Sequence, residues 1–485
     1  MIEEEHVRAS GSERGRGVRG QSTTEGELRV RRAALVVAML TSFLGPFMGS
    51  SVNVALPSLG REFGMTPVAL GWVNMAFLIS ASAFAIPFGR LGDIYGRRRL
   101  YGAGVVVFTL ASALIAVAPS GAAVIAGRGL QGFGASMIFA TGMAILISVY
   151  PREQRGRVLG INVAAVYLGL STGPFVGGLI TGSLGWRFIF GLNVPVGLFL
   201  VALIAVVLRG EWADAAGARF DWVGAGAFAA SLALTVLGLA RLPGPGATAL
   251  VAAGLIGMVG FVAYEARRVD PLLDIGLFRH NRVFAFSSLA ALINYAATFA
   301  VTFLLSLYLQ EVRALSPQQA GLVLVAQPLV QALLSPWAGR LSDRVEPRTV
   351  ASIGMALCFA GVALLNLVGR DTPLAWVIAC LVFLGVGFAL FSSPNTKAIM
   401  NAVEPAVYGV ASAVVGTMRQ VGMTLSMGAV MLILKAHLGE AEVDAATADA
   451  FVAGMRTAFT IFAALCAVGI LASLARGRSD ARTAG

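Results

Sequence analysis

Gly89-Arg90-Leu91-Gly92-Asp93-Ile94-Tyr95-Gly96-Arg97-Arg98-Arg99 closes one long apolar stretch, and Gly339-Arg340-Leu341-Ser342-Asp343 closes another. The two phrases start 250 residues apart (339 − 89). A phrase repeated at that separation, each time at the end of an apolar run, reads as two related halves rather than one continuous domain.

Composition makes lipid the solvent of both halves. The 485-residue chain is 57% hydrophobic and 13% charged, with a mean hydropathy of +0.80. Soluble domains run nearer to about 45–50% apolar and about 25% charged. The 58 glycines suit helices that approach closely where no hydrophobic force separates helix from lipid. Cys358, Cys380 and Cys466 all lie inside apolar runs and read as small buried hydrophobes, not a disulfide framework. The net charge of +11 sits in short loops between apolar runs, so it signals membrane topology and not a nucleic-acid partner.

Fourteen stretches reach the roughly 20 apolar residues that a bilayer crossing requires: 33–57, 68–90, 100–118, 122–148, 157–181, 187–208, 221–240, 247–265, 283–310, 318–341, 349–369, 374–397, 408–434 and 456–475. Each must be helical, because hydrocarbon offers the backbone no hydrogen-bond partner. An even count puts both termini on one side. Setting aside Arg128 and Arg419, which fall inside spans, 34 of the 36 Lys and Arg remain (36 − 2). Seven of these (Arg61, Arg187, Arg241, Arg313, Arg370, Lys435, Arg456) lie on one side and 27 (34 − 7) on the side of the termini, which is thereby assigned to the cytoplasm.

The expected organisation follows: a disordered polar tail over 1–32, a six-helix bundle over 33–208, an inserted two-helix hairpin with its linkers over 209–282, a second six-helix bundle over 283–475, and a tail over 476–485. Loop 436–455 is expected to be a solvated cap. The fold class is an all-α polytopic membrane protein. Both bundles start from the same side, so the repeat is parallel, with its pseudo-twofold along the membrane normal and a substrate site between the halves near mid-depth.

Three clusters carry candidate chemistry. In the first loop Gly89 and Gly92 permit tight helix contact, and Asp93 is an anion at the membrane edge among Arg97 and Arg98. Asp93 can pair with those cations or with the positive end of a helix from the other half, a contact that would form in one conformation and break in another. Asp343 is its counterpart. In span 4, Arg128-Gly129-Leu130-Gln131 places an arginine and a glutamine on one helix face. That arginine faces a wet cavity or is satisfied by backbone carbonyls. In span 5, Pro174 breaks a helix bond, and Gly173 and Gly177 let the bent segment pack or flex.

These three motifs resemble the signatures of the major facilitator superfamily. Further phrases resemble its 14-span drug:proton antiporter branch: Asn53-Val54-Ala55-Leu56-Pro57, Trp72-Val73, Trp186-Arg187-Phe188-Ile189-Phe190, Pro271-Leu272-Leu273-Asp274, Tyr308-Leu309-Gln310 and Pro394-Asn395. The resemblance runs from about residue 33 to 475. It implies a multi-pass inner or plasma membrane exporter of a small amphiphilic compound, coupled to protons, with the span 2–3 loop gating, Arg128 in proton relay and the Gly-Pro motif marking export. A proton-coupled or facilitative importer of a metabolite is the alternative. A functional monomer in lipid, no cofactor, no metal and no enzymatic activity are expected. No Walker-type phosphate loop is present in the sequence.

One departure stands out. The branch usually carries an Asp in span 1 where this chain has Met48, and no Asp or Glu falls in the middle of any span. Coupling then falls to Asp93 and its neighbours, to a border acid such as Glu62 or Glu311, or to the substrate. The charges inside the spans are Arg128 and Arg419, which favours neutral or anionic substrates over cations. Asn53, Asn74, Gln131, Asn294, Gln327, Gln331, Arg419 and Gln420 are the expected polar lining of the cavity, or else hydrogen-bonding glue between helices.

Overall fold

The computed structural model describes residues 6–208, 210–242, 244–268, 271–273, 275–403, 408–439, 441–444 and 446–476. Fourteen helices among them are long and apolar enough to cross a membrane. They are α1 (Leu28–Phe63), α2 (Pro67–Tyr95), α3 (Arg97–Ala116), α4 (Gly121–Val149), α5 (Gly160–Ser183), α6 (Arg187–Val206), α7 (Trp222–Arg241), α8 (Ala247–Glu265), α9 (Arg282–Val312), α10 (Pro317–Arg344), α11 (Pro347–Leu365), α12 (Leu374–Asn401), α13 (Val414–Leu438) and α14 (Ala448–Ala475). No strand occurs among the described residues.

Helix starts are set by short polar side chains. Thr66, Ser120, Asp221, Asn281 and Ser316 each accept the backbone N–H of the residue three positions on, capping α2, α4, α7, α9 and α10. Ser316 and Gln319 complete a reciprocal capping box behind Pro317. Gly96, at φ 113°, makes the sharp break between α2 and α3 that a residue with a side chain would resist.

Within the first half α1 packs on α5, α4 packs on α2 and α3, and α6 covers α3. The second half repeats this: α9 packs on α13, α12 on α10 and α11, and α14 covers α11. The repeat extends to single contacts. A Cβ on Gly104 of α3 would stand 2.8 Å from the Gly134 carbonyl of α4, and one on Gly354 of α11 would stand 2.8 Å or less from the carbonyl of Gly387 of α12. Gly104 and Gly354 are 250 residues apart (354 − 104), the same interval as the two loop phrases. The halves meet mainly through α2 on α13 and α5 on α10, two contacts that the pseudo-twofold exchanges. The hairpin α7–α8 stands outside this core, with α7 against both α2 and α13.

Two expectations are corrected. Helical backbone begins at His6, so residues 6–32 continue the first crossing instead of forming a coil. Extending an existing helix needs no new nucleus, which lowers the cost for a polar segment. The last helix starts at Ala448, not 456: Phe451, Val452 and Met455 are buried, and Asp449 suits the positive first turn. The solvated cap is correspondingly shorter. Residues 477–485, expected as a tail, lie outside the described residues.

Candidate functional site

The first loop is held from two sides. Arg97 donates to Asp93 through Nε at 2.8 Å and Nη2 at 2.6 Å, and to Ser148 Oγ at the end of α4 at 2.9 Å. The same guanidinium pairs with Asp214 at 2.7 Å. Asp214 belongs to the linker between α6 and the hairpin, and this linker binds the loop by its backbone too. Arg97 N donates to Trp212 O at 2.9 Å, and Ala215 N donates to Asp93 O at 2.9 Å. Glu211 accepts from Arg98 N at 2.8 Å and pairs with Arg99 at 3.5 Å. Arg98 turns away, its Nη2 reaching the Ile204 carbonyl in the last turn of α6 at 3.3 Å. A Cβ on Gly92 would lie 2.7 Å from Thr141, so Gly92 is needed for α2 to touch α4; a Cβ on Gly89 would meet Ala140 Cβ at an ordinary 4.0 Å.

The second loop repeats the latch with other chemistry. Asp343 pairs with Lys397 at the end of α12, which also donates to the Ser342 carbonyl at 3.0 Å. Lys397 less 250 is position 147, next to Ser148, so both loops tie to the foot of the fourth helix of their own half. The possible bond from Asp93 to a helix of the other half is replaced here by these local partners.

Arg128 is buried at 2% exposure. Its Nε donates to the Val73 carbonyl at 3.1 Å, its Nη1 to Gln131 Oε1 at 2.5 Å, and its guanidinium lies 4.4 Å over the Phe77 ring. Gln131 passes the chain on, donating to Ser112 Oγ at 2.8 Å. The group ties α2, α4 and α3 together inside one half, which takes Gln131 off the expected cavity wall.

The other amides expected on that wall also turn inward. Asn74 donates to Asn53 Oδ1 at 2.6 Å, and Asn294 donates to Met355 Sδ at 3.2 Å; all three are buried. Gln331 is buried as well, and Gln327 is half-buried with its carbonyl against Gly385. An amide buried in the membrane gains most by finding a neighbouring helix, since water is not available to it. At the aspartate position of the branch, Met48 receives Asn193 Nδ2 on its sulfur at 2.7 Å.

The span 5 motif is a seam with two faces. Gly173 and Gly177 face α1: Ser51 Oγ donates to the Gly173 carbonyl at 2.9 Å, and a Cβ on Gly177 would lie 2.6 Å from Ser51 Cβ. Gly178 faces the other half, where a Cβ would stand 2.5 Å from the Pro317 carbonyl of α10. The Pro174 carbonyl rests against Gly321 of α10.

Among the described residues, the bonds that join the halves lie on the side away from the termini or near mid-depth. Arg61 pairs with Glu311 at 2.9 Å, Gln310 Nε2 donates to the Val54 carbonyl at 2.9 Å, and Ser306 Oγ donates to the Asn53 carbonyl at 2.6 Å. A π-helical turn over 308–312 presents Gln310 and Glu311 to α1. Nearer the middle, Ser171 donates to the Pro328 carbonyl at 2.9 Å and Ser82 bonds Thr424 at 3.1 Å. On the same far side Glu62 pairs with Arg187 at 2.6 Å and accepts from Trp186 at 2.7 Å.

One cluster crosses the centre. Tyr167 of α5 donates to Ser392 Oγ of α12 at 3.5 Å. Beside them Arg419 of α13 lies 5.5 Å over the Tyr295 ring of α9, and Phe388 of α12 meets that ring edge-on at 5.8 Å. Arg419 is exposed, and Gln420 beside it half-buried. Arg419 has no ion pair or hydrogen bond with a described residue. Phe84, Phe88 and Phe133 add an aromatic wall on α2 and α4, with ring centroids 4.8–5.7 Å apart. Of these residues the sequence singled out Arg419, and it missed Ser392, Glu211 and Asp214. A signal for the last two was available: both are acids in a short linker facing an arginine-rich loop.

The chain belongs to the Major Facilitator Superfamily, whose family model matches residues 38–264 and 287–484. It is a multi-pass membrane transporter of the 14-span drug-efflux branch. It is 30% identical over 443 residues to the riboflavin transporter RibZ of Clostridioides difficile, covering 90% of this chain and 95% of that one. It is 32% identical over 452 residues to the cephamycin export protein CmcT of Amycolatopsis lactamdurans, covering 90% and 92%. Its fold matches the crystal structure of a bacterial homolog of the human lysosomal transporter Spinster, in an inward-facing, unoccupied conformation, with a TM-score of 0.67 at 15% identity over 92% of this chain and 97% of that one.

Proposed function

We propose that this transporter exports a small amphiphilic organic compound by proton-coupled alternating access, and that the compound is neutral or anionic. The observation that carries the substrate class is Arg419, a guanidinium stacked on Tyr295 with no acid paired to it among the described residues. A carboxylate or phosphate would give that guanidinium the bidentate partner it lacks. The Tyr295 ring under it and the Phe388 ring against Tyr295 suit a flat apolar body.

The halves are bonded together away from the termini, and the motif loops are latched within their own halves. This pattern supports the reading of a carrier that opens towards the cytoplasm to load a solute for export. The acids placed to register a proton gradient are Asp93, Glu62 and Glu311, each in an ion pair. The relatives named for export support the direction.

Proteoliposomes with an imposed proton gradient, offered cationic, neutral and anionic aromatic compounds, test the reading. Gradient-dependent flux of the anionic or neutral set is expected, abolished by a protonophore, with Arg419→Gln impairing anions at least tenfold more than neutral compounds. Robust export of cations unaffected by Arg419→Gln would overturn the substrate class. Inverted vesicles fix the direction.

A further inference from the structure

We propose that the groove between α1 and α6, at the end where the chain termini lie, is a binding site for an anionic phospholipid. Arg29, Arg32 and Val36 fall at i, i+3 and i+7 and share one face of α1. Phe199 and Leu203 on α6 and Val207 at its C-cap fall at i, i+4 and i+8. The two stripes line one groove of about 300 Å³.

Polarity is graded along this groove. α1 enters the membrane from the side of the termini, so Arg29 and Arg32 stand at its surface end and Val36 lies about 6 Å deeper than Arg32, at about 1.5 Å per residue. α6 returns to the same side, so Val207 is near the arginines and Phe199 about 12 Å deeper. The deep wall is uncovered by protein: Phe199 is 54% exposed and Val36 42%. Neither Arg29 nor Arg32 has a hydrogen bond or ion pair with a described residue. The backbone here is anchored independently, since the Arg31 carbonyl accepts Tyr150 Oη at 2.8 Å.

Two guanidiniums with no hydrogen-bond or ion-pair partner among the described residues, set at headgroup level above an open apolar wall, fit a phosphodiester carried on an acyl chain. The guanidinium forks match phosphate oxygens, and the charge bias already assigns this side to the leaflet where anionic lipids attract basic residues. A zwitterionic headgroup brings no net charge to the arginines, and a free phosphate makes no use of the wall.

The test uses the purified full-length chain in mild detergent, titrated separately with phosphatidylglycerol, phosphatidylcholine and inorganic phosphate. Lipid retained in native mass spectrometry and the shift in thermal midpoint are read for the wild type, Arg29→Gln/Arg32→Gln, Arg29→Lys/Arg32→Lys and Phe199→Ser. Phosphatidylglycerol is expected to bind the wild type, and the Gln pair to weaken that binding roughly 30-fold, which is ~2 kcal/mol from ~1 kcal/mol per basic residue. The Lys pair should retain most of the affinity and Phe199→Ser should lose part of it. Equal binding by the wild type and the Gln pair overturns the site. So does phosphatidylcholine performing as well as phosphatidylglycerol, or inorganic phosphate reproducing the whole effect.

Discussion

Arg61 and Glu311 occupy equivalent positions in the two halves. They are 250 residues apart (311 − 61), the interval that separates the two loop phrases, and they form an ion pair at 2.9 Å. Each stands at the far end of the first helix of its half, so the pair lies close to the pseudo-twofold axis that relates the bundles. A charge and its opposite at twin positions make a bond that would break if the halves parted on that side.

The pair is partly solvated, with the Arg61 side chain 54% exposed, so its contribution is about 1 kcal/mol or less. Glu311→Gln keeps the shape and removes the charge. It is expected to shift the population up to about fivefold towards the state open on that side. Spin labels placed on either side of the junction, with distances read by pulsed EPR, check this. The swap Arg61→Glu with Glu311→Arg should restore the wild-type distribution; if it does not, the pair does not set the balance.

The linker acids make a second expectation. Removing both charges with Glu211→Gln/Asp214→Asn leaves Arg97 with Asp93 and Ser148 but frees the linker from the arginines. The backbone bonds Ala215 N to Asp93 O and Arg97 N to Trp212 O then open more often. Amide exchange over 211–216 should rise by about tenfold, for a loss of ~1.4 kcal/mol across two charge-assisted contacts. Unchanged exchange would mean that the backbone bonds alone hold the linker.

Gly177 and Gly178 are neighbours that should fail differently. Gly177→Ala pushes on Ser51 within one half and should lower thermal stability by ~1–3 kcal/mol in every conformation. Gly178→Ala pushes on Pro317 across the halves and should instead favour the state in which α5 and α10 separate. Thermal midpoint and inter-half distance measured on both variants distinguish the two outcomes. Equal loss of stability in both would remove the distinction.

Arg128 is engaged by a carbonyl, an amide and a ring, with no acid in reach among its described partners. Arg128→Met fills the space but leaves the Val73 carbonyl and Gln131 Oε1 unpaired, a cost of ~1–3 kcal/mol. The amount of folded protein should fall, and transport per folded molecule should fall much less. A full loss of gradient coupling in well-folded Arg128→Met would show that the arginine handles protons.

The turn before α14 carries a pH signature. Asp444 accepts from the backbone and hydroxyl of Thr447 and from the Ala446 N–H, and these bonds hold its carboxyl below its usual range. A depressed carboxylate contributes order that is complete above its unfolded pKa and is lost as pH falls through the folded one. Exchange protection at Ala446 and Thr447, relative to the intrinsic rate at each pH, should therefore fall on acidification below the ordinary Asp range. In Asp444→Asn that protection should be low already at neutral pH and nearly independent of pH.

The legible part of this protein was whatever lipid enforces locally. Fourteen helices, their rough ends, the parallel repeat and the family follow from apolar length, arginine bias and a phrase used twice, because hydrocarbon admits only self-satisfied backbone and the repeat keeps its spacing. Residues 6–32 and 448–455 were misread for one reason: polar composition marks where the membrane ends, and a helix does not have to end there. The polar side chains were legible as unusual but not as placed. Asn53, Asn74, Gln131 and Asn294 have the same spacing signals whether they face a cavity or another helix, and only packing turned them inward. The partner of Arg97 in the linker, the pairing of Arg61 with Glu311 and the meeting of Arg419 with Tyr295 join residues 117 to 250 positions apart (214 − 97, 311 − 61). Sequence fixes which charges a chain owns; which of them meet depends on how two rigid bundles lean together, and that is decided by contacts between surfaces that no local pattern encodes.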